Sequence, residues 1–241
     1  MQEIRAQSGP QEQALASGAD VVIFGGAAGG GKSFGLLLAV AQHSDFPRFG
    51  AEIFRRTFPE LTMTGGLWPE SFRLFGLLGA EPKQTTLEWT FPSGARVKFS
   101  HMQHANDRFN WDGAQIPMIG FDQLESFEEI QFWYLLSRNR DPSGQVRPFI
   151  FGTCNPVPAD DPVGGWLHAF LQWWIDPATG LAIEARSGAV RWLIRDAHDQ
   201  LHWADTREDL VARFPGSDPK SVTFIRSLLD DNPALTEADP G

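Results

Sequence analysis

Val21-Val22-Ile23-Phe24-Gly25-Gly26-Ala27-Ala28-Gly29-Gly30-Gly31-Lys32-Ser33-Phe34-Gly35-Leu36-Leu37-Leu38 joins an apolar run to a glycine-rich turn ending in Lys-Ser, and that turn to a second apolar run. A short run of β-branched and aromatic residues before a glycine cluster reads as a buried strand; the leucine-rich run after it reads as a helix. The spacing Gly26, four residues, Gly31-Lys32-Ser33 is that of a phosphate-binding loop. In such a loop the backbone N–H groups around Gly29, Gly30 and Gly31 curl about a polyphosphate, the lysine reaches its β and γ oxygens, and the serine ligates Mg²⁺. A plain turn has no need of five glycines in nine residues, and a lysine at a helix N-terminus sits where the dipole already favours an anion. A nucleotide with its Mg²⁺ is therefore the expected ligand.

Composition bounds the rest. A chain of 241 residues with 42% hydrophobic content can bury a sizeable core as one large domain, or as a domain with a small appendage. No apolar run approaches the roughly 20 residues of a membrane helix, and the N-terminus lacks the basic-then-apolar pattern of a signal peptide. The expectation is a cytoplasmic protein. Cys154 is the only cysteine, which excludes an internal disulfide or a multi-cysteine metal site. The formal net charge of −10 argues against strong unaided nucleic-acid binding, so any nucleic acid is gripped locally or by an assembly.

Helix and strand signals alternate along most of the chain, which predicts an α/β fold with a mainly parallel sheet covered on both faces. A second strand is expected over Ala51 to Arg56, then a helical stretch from Glu60 to Leu78 broken at Gly65-Gly66. Thr86 to Phe91 and Ala95 to Phe99 flank Pro92-Ser93-Gly94 and read as an antiparallel hairpin. Ile116 to Phe121 and Pro148 to Thr153 are further strands, the first weakened by Pro117 and Gly120. Ser126 with Glu129 forms a capping-box pattern, predicting a helix from Phe127 to Ser137. Beyond Asp160 the pattern becomes irregular, with a helix at Trp166 to Trp174, a hairpin-like pair across Pro177 to Gly188 and a helix near Asp205 to Arg213. The stretch 229–241 is acidic and proline-rich and reads as a linker or a cut end.

Triphosphate hydrolysis also needs an acidic residue at the end of an apolar strand beside the loop, to hold the metal's water shell. Asp122, after Ile119-Gly120-Phe121, fits. ATPase motors usually place a glutamate next, to polarise the attacking water, but here the neighbour is Gln123. A neutral amide orients water without taking its proton. Either Glu125 has taken over that role, or the chain is natively slow, or Gln123 is a near-isosteric change that traps bound nucleotide, the reading favoured from sequence. Thr153 and Asn155, at the end of the next strand, are placed to touch the γ-phosphate.

The segments GGAAGGGKS, RRTFPEL at Arg55 to Leu61, GFDQLESF at Gly120 to Phe127, LLSRNR at Leu135 to Arg140, TCNP at Thr153 to Pro156 and GGWLHAF at Gly164 to Phe170 occur in that order. Together they resemble the large terminase subunits of tailed bacteriophages, which are ATP-driven DNA-packaging motors. The resemblance runs from about Gln11 to the end. It implies a P-loop NTPase of the additional-strand catalytic-glutamate class, with ATP and Mg²⁺ bound by Lys32, Ser33 and Asp122, and with the family's catalytic glutamate falling on Gln123. It also implies that Thr153 to Asn155 couple hydrolysis to movement and that Gln11 contacts adenine.

The arginine that stabilises the transferring phosphoryl group must lie outside the loop, because Ala27 and Ala28 stand where some family members carry it. Arg108 is the first candidate, with Arg138 and Arg140 behind it, acting within the chain or from a neighbouring subunit. The implied partners are double-stranded DNA, a homo-oligomeric ring on a portal and a small terminase subunit, in the host cytoplasm. Residues 1–228 would be the motor domain, 160–228 its more irregular part, and the family's nuclease half would be absent. A helicase-type ATPase shares this core and is disfavoured by TCNP and GGWLHAF. A GTPase switch would want an Asn-Lys-x-Asp motif and a small-molecule kinase an arginine-rich lid, and the sequence has neither.

Overall fold

The computed structural model describes residues 4–26 and 29–231, so Ala27, Ala28 and the part of the expected 229–241 tail beyond residue 231 lie outside the described residues. The glycine-run strand is β1 (Val21–Gly26), followed by α2 (Lys32–Ala41) and preceded by α1 (Pro10–Ala16). The other strands are β2 (Gly50–Arg55), β3 (Glu81–Lys83), β4 (Glu88–Thr90), β5 (Arg96–His101), β6 (Met118–Phe121), β7 (Phe149–Cys154), β8 (Val190–Arg195), β9 (Leu201–Ala204) and β10 (Lys220–Ser227). They form one sheet in the order β3-β4-β5-β2-β6-β7-β1-β10-β8-β9. From β5 to β10 every neighbouring pair is parallel; antiparallel strands are added only at the two ends.

A parallel sheet needs both faces covered, and β1 shows how this is met. Val22 and Phe24 pack into one core with Leu36, Leu37 and Val40 of α2, together with Leu74 and Phe75 of α4 (Leu67–Phe75). Val21 and Ile23, one residue out of phase, pack into the other core with Phe132 of α5 (Glu129–Leu136) and Phe170 of α6 (Trp166–Leu171). The period-2 alternation of the strand thus joins two separate cores.

The expected hairpin is present as β4 and β5, with β3 added outside it, and the broken helix is α3 (Phe58–Thr62) followed by α4. Three expectations need correction. The helix after Asp122 begins later and is capped by Glu128 with Gln131. Ser126 instead donates its hydroxyl to the Gln123 carbonyl at 2.6 Å, closing a 3₁₀ turn. Across 177–188 there is an isolated bridge, Ile175 to Ala182, and a 3₁₀ turn rather than a hairpin.

The third correction concerns 190–227, which supply β8, β9 and β10 to the same sheet, with α7 (Arg207–Arg213) between. In β10 the polar residues Ser221, Thr223 and Ser227 are buried among Val222, Phe224 and Ile225, which masks the apolar run. Each has a partner: Ser221 donates to Asp20 Oδ2 at 2.7 Å, Thr223 to the Ala189 carbonyl at 3.1 Å and Ser227 to the Gly30 carbonyl at 2.8 Å.

Candidate functional site

Parallel strands deliver their C-terminal ends to one edge of the sheet, the usual place for a ligand crevice. At that edge β1, β7, β6 and β2 end in Gly26, Cys154, Phe121 and Arg55, and a cavity of about 360 Å³ opens above them. Gly29 to Phe34, Arg55, Gln123, Thr153 and Asn155 line it, together with Gly65, Leu67 and Glu70.

The loop's shape follows from two close approaches to β10. Gly26 has φ of 141°, and a Cβ there would lie 1.9 Å from the Ser227 carbonyl oxygen. The Ser227 hydroxyl holds the Gly30 carbonyl from the same side. Gly31, at φ 68°, then turns the chain into α2 so that buried Lys32 starts the helix and donates from Nζ to the Gly26 carbonyl at 3.3 Å. A Gly26→Ala change meets both the backbone and a left-handed conformation, at a cost of about 1–3 kcal/mol for the strain alone. Chemical denaturation should show at least that loss, with ATP binding weakened in parallel; unchanged stability would mean that the loop does not need this approach.

Asp122 is fully buried and takes three donors. Its Oδ1 accepts from Ser33 Oγ at 2.8 Å and from Thr153 Oγ1 at 2.6 Å, and its Oδ2 accepts from Arg55 Nε at 2.5 Å. Gln123 stands in the left-handed region at φ 61° and ψ 63°, which turns its side chain towards β2. There Oε1 accepts from Arg55 Nη1 at 2.6 Å, while its backbone N–H donates to Thr153 Oγ1 at 3.0 Å. Lys32, Ser33, Asp122, Gln123, Thr153 and Asn155 are thus brought together, as the sequence led one to expect. Arg55 carried no assigned role from sequence. Its signal was an arginine closing the apolar run Ile53-Phe54, the counterpart on β2 of Asp122 closing β6.

A serine hydroxyl and a carboxylate 2.8 Å apart beside the glycine-rich loop make an oxygen donor set that would fit Mg²⁺ shared with a phosphate ligand. Among the described residues no three His, Cys, Asp or Glu side chains converge to hold a metal by themselves. Burial lowers the pKa of Lys32, opposed by Cys154, Glu125 and Asp122. Burial raises that of Glu125 and of Cys154. The Arg55–Asp122 pair is the tightest link: removing one partner of a buried pair costs about 3–5 kcal/mol. Arg55→Ala should lower stability by that order in denaturant titration, and a loss under about 1 kcal/mol would show that Asp122 is adequately held by its two hydroxyls.

Other expected site residues lie off the cavity wall. Gln11 is buried behind the loop, donating from Nε2 to the Gly31 carbonyl at 3.1 Å and accepting the Gln7 N–H at 2.8 Å, so it braces the loop. Arg108 donates to the Ala105 carbonyl and stacks over Phe109, 4.2 Å from the ring centroid. Arg138 pairs with Asp112 at 2.9 Å, and neither it nor Arg140 lines the cavity. Glu125 is also not part of the wall; its Oε1 accepts from Asn155 Nδ2 at 3.1 Å.

No family model and no curated protein sequence matches the chain. Solved structures do. The large terminase of a thermophilic bacteriophage superposes with a TM-score of 0.61 at 13% identity, over 98% of this chain and 48% of that one. The complex of that terminase with ADP gives 0.56 at 15% identity, over 97% and 48%. The bacteriophage HK97 large terminase gives 0.53 at 12% identity, over 100% and 48%. At these identities the likeness is one of fold, and the chain spans about half the length of those proteins. In this chain β7 lies between β1, which leads into the glycine-rich loop, and the Asp122 strand β6. Among the described residues no helix is long and apolar enough to cross a membrane.

Proposed function

We propose that the chain is the ATP-binding and ATP-hydrolysing motor domain of a viral DNA-packaging terminase, coupling hydrolysis to the movement of double-stranded DNA into a capsid, with turnover held low by Gln123. The observation that carries this reading is the single network joining Ser33, Asp122, Thr153, Gln123 and Arg55 beneath a phosphate loop, in a sheet whose fold is that of large terminases.

In this reading the loop N–H groups and Lys32 hold the β- and γ-phosphates, while Ser33 and Asp122 hold Mg²⁺, which supplies charge neutralisation on the phosphates. Thr153 bonds both Asp122 and the Gln123 N–H, so a change at the γ-phosphate reaches β7 directly. Asn155, two residues on, carries that change into the loop leading to α6. The family's adenine role for Gln11 becomes indirect, through the loop carbonyl that it holds. Arg108, with Arg138 and Arg140 as alternatives, supplies the transition-state arginine to a neighbouring subunit of a homo-oligomeric ring on a portal. A net charge of −10 suits a motor whose DNA grip is shared among subunits. The small terminase subunit and the host cytoplasm follow from the same reading.

The test is Mg²⁺-ATP hydrolysis by the chain with and without duplex DNA, together with unwinding of forked DNA. Hydrolysis without unwinding supports the packaging motor; unwinding would move the assignment to a helicase-type motor. For the arginine, mixtures of Arg108→Ala with Lys32→Ala should recover part of the lost activity if Arg108 acts between subunits. Mixtures no more active than the weighted sum of the two would place it within the chain.

A further inference from the structure

Among the described residues, the charged side chains that line the glycine-loop cavity are Lys32, Arg55 and Glu70. Glu70 pairs with Arg73 at 3.3 Å, and Lys32 belongs to the loop itself. Arg55 comes from β2, which β6 and β7 separate from the loop strand β1. Asp122 brings it close to the loop. One oxygen of that carboxylate accepts from Ser33 Oγ and the other from Arg55 Nε, so the guanidinium stands one carboxylate away from the loop's serine.

The guanidinium is only partly used. Nε donates to Asp122 and Nη1 to Gln123, whereas Nη2 donates to nothing among the described residues. Nη2 is also accessible: the side chain is 10% exposed, and no buried, unpartnered nitrogen belongs to it. A planar cation with a free edge, in one cavity with the Lys32 ammonium and the N-terminus of α2, is a receptor for an oxyanion.

Its position selects the phosphate. The glycine loop and Lys32 grip the part of a polyphosphate that the loop wraps, and ADP and ATP have that part in common. Arg55 lies beyond, over the ends of β7 and β6, where a further phosphate extends. We infer that Arg55 binds the terminal phosphate of ATP through Nη2 and thereby sets the preference of the site for a triphosphate over a diphosphate. Gln123 is a neutral partner and the weaker one, so its bond to Nη1 can yield to phosphate while the ion pair with Asp122 keeps the guanidinium in place. The inference rests on the ATPase reading above. It concerns binding before reaction and leaves the transition-state arginine where that reading puts it.

The test is calorimetric titration of the 241-residue chain with ADP and with the non-hydrolysable β,γ-imido analogue of ATP, each in Mg²⁺ and again in EDTA. In Arg55→Ala the analogue should bind about tenfold or more weaker, the worth of a charge-assisted hydrogen bond. ADP should stay within about threefold of the parent. The difference should persist in EDTA, because Arg55 touches phosphate and not the metal. Equal losses for the two nucleotides, no loss, or a difference that vanishes in EDTA overturns the inference and leaves Arg55 only the task of holding Asp122. Parent protein that binds neither nucleotide overturns the ATPase reading itself. Should Arg55→Ala fail to fold, Arg55→Lys decides. The lysine keeps a cation on Asp122 but has no fork with which to serve a phosphate as well. A selective loss of the analogue supports the inference, and a parental ratio of the two affinities overturns it.

Discussion

Lys32→Ala is expected to weaken Mg²⁺-ATP binding about 100-fold, from loss of charge-assisted hydrogen bonds worth about 1.5–3 kcal/mol, and to cut hydrolysis by about a further 10²–10³. Isothermal titration and phosphate release measure the two separately. The less obvious part of the prediction concerns stability. Burial lowers the pKa of Lys32, so the folded chain carries its charge at a cost, offset by the carboxylates of Glu125 and Asp122. Without nucleotide, relief of that cost opposes the loss of the hydrogen bond to the Gly26 carbonyl, so the variant should melt close to the parent, while the upward shift that ATP gives the parent disappears. A variant that melts well below the parent would assign Lys32 a structural role and weaken the reading of the loop.

Gln123→Glu is the second large effect, and its sign is opposite. A carboxylate at this position pairs with Arg55, which already sits 2.6 Å from the Gln123 side-chain oxygen, so the change fits without rearrangement. It places a carboxylate beside Asp122, and on the proposed reading, in which Gln123 holds turnover low, steady-state turnover rises by about 10²-fold, the usual worth of a positioned base. Turnover equal to that of the parent would show that Gln123 does not limit hydrolysis. Combining this variant with Glu125→Gln ranks the two positions: whichever single change governs the rate of the double variant holds the working base.

Much of this site could be read from the residues in order, because a phosphate loop and a strand-ending aspartate are local signals. Lys32, Ser33 and Asp122 are set by the ends of β1 and β6, and parallel pairing brings such ends together wherever the strands fall in the sequence. Arg55 stands in the RRTFPEL segment, where nothing local gives it a task, since its meaning depends on β2 lying beside β6. The direction of Gln123 was invisible as well: a left-handed residue turns its side chain through a backbone angle that composition does not announce.

The end of the chain was the hardest to read. β10 is central but carries three buried hydroxyl residues, and their partners, Asp20, Ala189 and Gly30, are distant in sequence or set by the fold. Ser126 misled for a related reason. Its spacing to Glu129 matched a helix cap, whereas Glu128 with Gln131 offered the same chemistry two residues later, and Gln131 is also fully buried, donating to the Met102 carbonyl at 3.2 Å.

The pairing of β1 with β10 has a consequence for biosynthesis. Val21 to Gly26 lie against Val222 to Ser227, so the strand that launches the phosphate loop waits for nearly two hundred further residues before its second neighbour exists. Such a long-range closure is slow, because its entropy must be spent before the contacts return anything. On a translating ribosome the loop's Gly26 and Gly30 would emerge early yet lack the Ser227 clamp until late. The nascent chain should thus acquire nucleotide affinity abruptly, once residue 227 clears the exit tunnel, and stay blind to ATP until then.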